Sequence, residues 1–135
     1  MTSNDFNNFP KNGRLLGIDW GDKRIGVAVS TPDRRFVFAR PVADAQRDIY
    51  WARIVAEERV AGIVVGLPLH LDGSESETSA RVRNFAATLD AGVPVLLFDE
   101  SLTSFAAEGC ANLDSEAARI MLENAIAAME RGRLS

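Results

Sequence analysis

The sequence has one cysteine and one histidine in 135 residues. A single cysteine, Cys110, excludes an internal disulfide and fits a reducing compartment. His70, standing alone, reads as a loop residue or one lining a substrate groove. No apolar run approaches the roughly 20 residues that a membrane helix needs. The N-terminus has no basic stretch followed by an apolar one, so nothing suggests export, and a cytoplasmic protein without membrane contact is expected. Basic residues are also few: 15 Lys and Arg stand against 19 Asp and Glu, a net charge of -4. That balance counts against a nucleic-acid partner, although a local patch or a bound cation can outweigh the global sum.

Hydrophobic residues at 47% and charged residues at 25% are ordinary for one globular domain of this length. Residues 1–12 hold four Asn and no apolar periodicity, which predicts a loose arm ahead of a single domain over 13–135. Arg14 to Trp20 and Arg24 to Ser30 read as strands joined too closely for a crossover, so they pair antiparallel. Thr31-Pro32-Asp33 is a turn, and Phe36 to Arg40 continues the meander. Asp44 can cap a helix reaching about Arg59. Ala61 to Gly66 is a strand buried on both faces, with Leu67 to Gly73 a loop after it. A helix from Ser74 or Ser76 to Leu89 follows, then a strand over Val93 to Phe98. One helix begins near Thr103, and Asp114 or Ser115 caps another to about Arg131. The predicted class is α/β: a three-strand antiparallel meander plus two parallel strands, with helices on both faces.

Polar residues at the ends of apolar strands are where such sheets gather ligands. Asp19 closes the first strand, Glu100 the last, and Asp114 precedes an apolar helix. Read singly, Asp19 also suits a turn and Asp114 an ordinary cap. Asp99 falls on the opposite face from Glu100 by strand alternation. If the three carboxylates meet, their repulsion calls for a divalent cation, and oxygen donors suit Mg2+ or Mn2+ beside a phosphate.

Gly17-Ile18-Asp19-Trp20-Gly21-Asp22-Lys23-Arg24-Ile25-Gly26-Val27-Ala28 resembles the opening signature of the YqgF-type (RuvX) family. Val65 to Ser74 resembles its second block, Asp99 to Ser104 its third and Leu113 to Ala118 its fourth, in order from Gly13 onward. The family is described as RNase H-like in fold, with members regarded as nucleases maturing the 5′ end of pre-16S rRNA and as Holliday junction resolvases. The resemblance implies Asp19, Glu100 and Asp114 as catalytic carboxylates holding Mg2+ or Mn2+. It also suggests Lys23, Arg24, Arg81 and the backbone around Gly73 and Ser74 as contacts to nucleic acid.

Two features depart from that pattern. Ser101 stands where the family usually has Arg, and only 13 residues separate Glu100 from Asp114, about half the usual interval. The absent stretch is usually a helix with a basic loop, which accounts for part of the acidity. The expected activity is metal-dependent phosphodiester hydrolysis on structured RNA, with branched DNA or a non-catalytic scaffold as alternatives. A junction resolvase would need a two-fold dimer, and a monomer or weak homodimer is expected. A two-domain sugar-kinase or actin-like ATPase, which shares the Asp-x-Gly hairpin, needs well over twice this length.

Overall fold

Apolar strands dominate the first two thirds of the chain, and they assemble into one six-stranded sheet. The computed structural model describes residues 2–3, 9–21, 24–44, 51–69, 77–89, 91–101 and 113–134. In chain order these form β1 (Thr2–Ser3), β2 (Arg14–Asp19), β3 (Arg24–Ser30), β4 (Val37–Asp44), α1 (Trp51–Glu58), β5 (Val60–Leu69), α2 (Glu77–Thr88), β6 (Val95–Ser101) and α3 (Leu113–Leu134). The strand order is β1-β6-β5-β2-β3-β4. β2, β3 and β4 form the antiparallel meander, while β5 and β6 run parallel to β2, as the sequence predicts.

Strand alternation divides the core into two halves. Leu16, Ile18, Val27, Ile63, Val65 and Leu97 face one side, where Val55 of α1 and Val82 and Ala86 of α2 cover them. Leu15, Ala28, Val64 and Leu96 face the other, where Ala118, Met121, Leu122, Ala125 and Met129 of α3 pack. Each of these side chains is almost fully removed from water, and burying one is worth about 1.5–3 kcal/mol for the larger aliphatics.

Several boundaries differ from the sequence reading. β4 runs on through Asp44, which pairs with Arg24 and so is a strand residue, not a helix cap. Pro41 within β4 is compatible with this because β4 is an edge strand, where a missing N–H breaks no ladder. β5 continues to Leu69, so Leu67 to Leu69 belong to the sheet and not to a loop. Asp114 lies inside the first turn of α3 and is not its cap, since the helix already includes Leu113. The helix predicted near Thr103 falls outside the described residues.

The segment predicted to be a loose arm is tied to the sheet at two points. β1 pairs in parallel with β6. Phe9 is 6% exposed and its ring lies over Gly62, where an added Cβ would stand 2.6 Å from Cζ. Arg34, buried and in the left-handed region at φ 63°, donates from Nε to the Gly13 carbonyl at 2.8 Å and from Nη2 to the Pro10 carbonyl at 2.9 Å. A spacing of 21 to 24 residues bridged by one guanidinium was not visible in the local pattern.

Candidate active site

Asp19 owes its place to the hairpin that follows it. Gly21 approaches the Arg24 backbone so closely that a Cβ would sit 2.7 Å from the Arg24 carbonyl oxygen. Only glycine fits there without a shift, and the tight return sets Asp19 beside Gly26 of β3. On its other side the β2–β5 pairing ends at Ile18 and Val65. One position further along both strands, Asp19 is level with Gly66. Its two lateral neighbours on the same face of the sheet are therefore both glycines.

That face is the one α3 covers. Asp19 alternates with Gly17, and a Cβ on Gly17 would meet the Leu122 side chain at 2.9 Å. α3 runs antiparallel to β2, for Ile126, Met129 and Glu130 near its end line a hollow with Lys11, Asn12 and Pro32 at the start of the meander. Its beginning therefore lies towards the Asp19 end. Asp114, Ala118 and Leu122 follow at i, i+4 and i+8 on one stripe. At about 1.5 Å per residue, Asp114 is roughly 12 Å up the helix from Leu122, while Asp19 is roughly 6.6 Å along the strand from Gly17.

Glu100 is in register with Pro68 on β5, two positions beyond the level of Asp19, and its strand β6 is two strands away from β2. It alternates with Leu96 and Phe98, which belong to the half of the core under α3. Ideal sheet spacing puts the Cα atoms of Asp19 and Glu100 about 12 Å apart. By backbone register Asp19 and Glu100 thus share one face and one end of the sheet, and the direction of α3 brings its first turn, with Asp114, towards that end. Asp99, in register with Leu67, falls on the other face and is exposed. Among the described residues no three His, Cys, Asp or Glu side chains cluster to hold a metal; the side chains of Glu100 and Asp114 are outside that set.

The other expected contacts separate. Arg24 is exposed at the start of β3. Lys23, Gly73, Ser74 and His70 lie outside the described residues. Arg81 bridges Glu77 at 3.3 Å in the first turns of α2. α2 packs on the face opposite α3, so Arg81 shares the end of the sheet with Asp19 but not its face. Trp20, directly after Asp19, also turns to the α2 side: its ring lies 6.2 Å from Phe85, whose other neighbour is Trp51 at 6.0 Å in an edge-on pair. Both tryptophans pack, partly buried, against the α1 and α2 half of the core. What the sequence reading missed is the pair of glycines flanking Asp19, whose only signal was a glycine at the level of the acid in two neighbouring apolar runs.

No helix among the described residues is long and apolar enough to cross a membrane. Comparison with known proteins adds three findings. A family model described as "RuvX: Holliday junction resolvase" matches residues 13–128. A protein of Maridesulfovibrio salexigens, named "Putative pre-16S rRNA nuclease", is 42% identical over 132 residues, covering 84% of this chain and 98% of the relative. A protein of the same name from Rhodopirellula baltica is 38% identical, covering 94% of this chain and 84% of the relative. Among solved structures, "T. thermophilus RuvC in complex with Holliday junction substrate" superposes with a TM-score of 0.52 at 15% identity, over 86% of this chain and 94% of that one. That likeness concerns the fold, which is the α/β RNase H-like type. The match over residues 13–128 and the two near-complete relatives place the chain in the RuvX family.

Proposed function

We propose that the chain is a divalent-metal-dependent nuclease that hydrolyses phosphodiester bonds in structured RNA of the pre-16S rRNA class, in the cytoplasm. The observation that carries this reading is the setting of Asp19, a strand-end carboxylate between Gly26 and Gly66, on the face shared with Glu100 and the start of α3. Two lateral glycines leave room for a phosphodiester backbone to come close to an acid. The names of the relatives supply the substrate class.

The donor chemistry fits Mg2+ or Mn2+, since all three candidate ligands are carboxylates and hard oxygen donors suit these ions. When bound, such an ion offsets the charge of the phosphate and lowers the pKa of water. Asp19 and Glu100 would hold the ion from two strands, and Asp114 from the first turn of α3. Lys23 and Arg24, following the first turn, would orient the substrate through its phosphates, as would the amides of Gly73 and Ser74, while Arg81 would meet it from the opposite face around the end of the sheet. A monomer or weak homodimer suffices for single-strand cleavage. Branched DNA is the lesser alternative, because a chain of net charge -4 has little to neutralise a junction with.

A non-catalytic scaffold is the second reading, favoured by Ser101 and by the short interval between Glu100 and Asp114. The test is cleavage of a panel of pre-rRNA fragments and branched DNAs with Mg2+ or Mn2+, comparing wild type with Asp19→Asn and Glu100→Gln. The nuclease reading expects RNA cleavage by wild type, abolished by chelation and reduced at least about a hundredfold in both variants. Equal cleavage by all three proteins sinks the proposed site. Binding without any cleavage by wild type establishes the scaffold.

A further inference from the structure

Among the described residues, Phe36 and Phe38 are the large hydrophobic side chains that stand out in water, 62% and 55% exposed. They are not scattered. Phe38 pairs across to Val29, whose side chain belongs to the half of the core under α1 and α2. The ladder continues to Phe36, whose carbonyl accepts from Thr31 N–H at 2.9 Å. Phe36 stands immediately before β4 and two residues from Phe38, so along an extended chain the two share a face with Cα atoms about 6.6 Å apart.

Their surroundings are basic and aromatic by turns: Arg34-Arg35-Phe36-Val37-Phe38-Ala39-Arg40. Arg34 is committed to the carbonyls of Pro10 and Gly13. Arg35 is exposed before the first ring. Arg40 follows the second on the same face, 3.6 Å from Glu58, with Arg59 exposed as the next residue of the chain. Among the described residues, Asp33 accepts from the turn that precedes the rings and Glu58 faces Arg40.

A second copy of the chain is the obvious occupant of an edge strand, but β4 is poorly made for it. Pro41 removes a donor from the middle of the strand, and the β3–β4 register shifts between Ile25 and Val27. Both features are ways of blunting an edge against strand addition. The rings also project from the face of the sheet, not along its plane.

We propose that Phe36 and Phe38 form a stacking platform for an unpaired stretch of RNA, one base per ring, with Arg35 and Arg40 against its phosphates. This rests on the nuclease reading above and extends the substrate contact to a face that the cleavage site does not use. Aromatic rings on a sheet face take unpaired bases without regard to sequence, and flanking arginines supply the salt-dependent part of the affinity. The platform holds single-stranded RNA and not duplex, because paired bases have no free face to offer.

The test is fluorescence anisotropy in EDTA, so that binding is read without cleavage, using a labelled single-stranded oligouridine and a blunt RNA duplex. Wild type is expected to bind the single strand, and the Phe36→Ala/Phe38→Ala variant to lose about tenfold or more in affinity, with duplex binding unchanged. Phe36→Tyr/Phe38→Tyr retains the rings and is expected to bind as wild type, and Arg35→Ala to flatten the salt dependence by about one phosphate contact. The idea is overturned if wild type ignores the single strand, or if loss of both rings leaves its affinity intact. It is equally overturned if the Ala variant changes only the oligomeric state in sedimentation, which would assign the face to a second copy. Cleavage of RNA by Asp19→Asn is a separate readout: its persistence sinks the catalytic site and leaves this platform standing.

Discussion

Leu122 lies against Gly17 so closely that no side chain fits between them. A Cβ on Gly17 would stand 2.9 Å from the Leu122 Cβ, 3.1 Å from Cδ2 and 3.3 Å from Cγ. This contact fixes the height of α3 over β2, and with it the position of the helix start relative to Asp19. Gly17→Ala forces the helix outward and is expected to cost about 1–3 kcal/mol, roughly 5 °C in thermal midpoint. In a Leu122→Gly background the same substitution should cost much less, since the Cβ, Cγ and Cδ2 atoms it would meet are all gone. A double-mutant cycle by thermal denaturation measures the difference, and additive costs would refute the contact.

A similar argument applies at the N-terminal segment. Phe9 covers Gly62 and is buried with Leu15, Val64 and Met129 in the α3 half of the core. Phe9→Ala is expected to destabilise the protein by about 3–5 kcal/mol. Gly62→Ala should also destabilise wild type, but not a chain already lacking the Phe9 ring. If residues up to 12 were only a loose arm, Phe9→Ala would leave the denaturation midpoint unchanged.

The contrast between these two glycines shows what could be read from the sequence. The strands and helices were legible because each carries its own period: alternation in Arg24–Ser30, a continuous apolar run in Ile63–Val65, a helical stripe in Ala118–Ala125. Asp19 and Glu100 were legible as acids closing apolar strands. Phe9 was not, because two phenylalanines among Asn, Asp and Pro set no period, and its partner Gly62 is 53 positions away. The Arg34 clamp was hidden for the same reason. β4 was read short because Pro41 looks like a terminator until its edge position is known. The glycines beside Asp19 became meaningful only with the register, which puts three separate segments at one level.

Asp33 offers a pH-dependent test of the β3–β4 turn. Its carboxylate accepts from Thr31 Oγ1 at 2.6 Å and from the Arg35 N–H at 3.1 Å, and the hydroxyl bond is the main cause holding its pKa below 3.8. The charged form is favoured in the folded chain. Its contribution is therefore present above the ordinary carboxylate value and is lost as pH falls through the lowered one. Carboxyl NMR titration should find Asp33 below the usual range in wild type, and Thr31→Val should raise it towards normal. The same hydroxyl accepts from the Phe36 N–H at 3.3 Å, so Thr31→Val is also expected to loosen the turn that leads into the exposed rings.

The metal makes a claim about stability that is independent of turnover. Asp19 shares a face and an end of the sheet with Glu100 by register, with the first turn of α3 and Asp114 towards the same end, and gathered carboxylates repel when no cation is bound. Replacing Asp19 with Asn keeps the side-chain shape and removes one charge. In EDTA the Asp19→Asn chain is therefore expected to melt at least as high as wild type, while added Mn2+ or Mg2+ raises the wild-type midpoint and leaves the variant's nearly unmoved. Asp114→Asn reports on the short interval after Glu100: if the first turn of α3 supplies a ligand, this variant loses most of the metal-induced shift, and if it retains the full shift, Asp114 is no ligand. A wild-type midpoint indifferent to both ions would refute a carboxylate metal site at this end of the sheet, whatever the protein then proved to cleave.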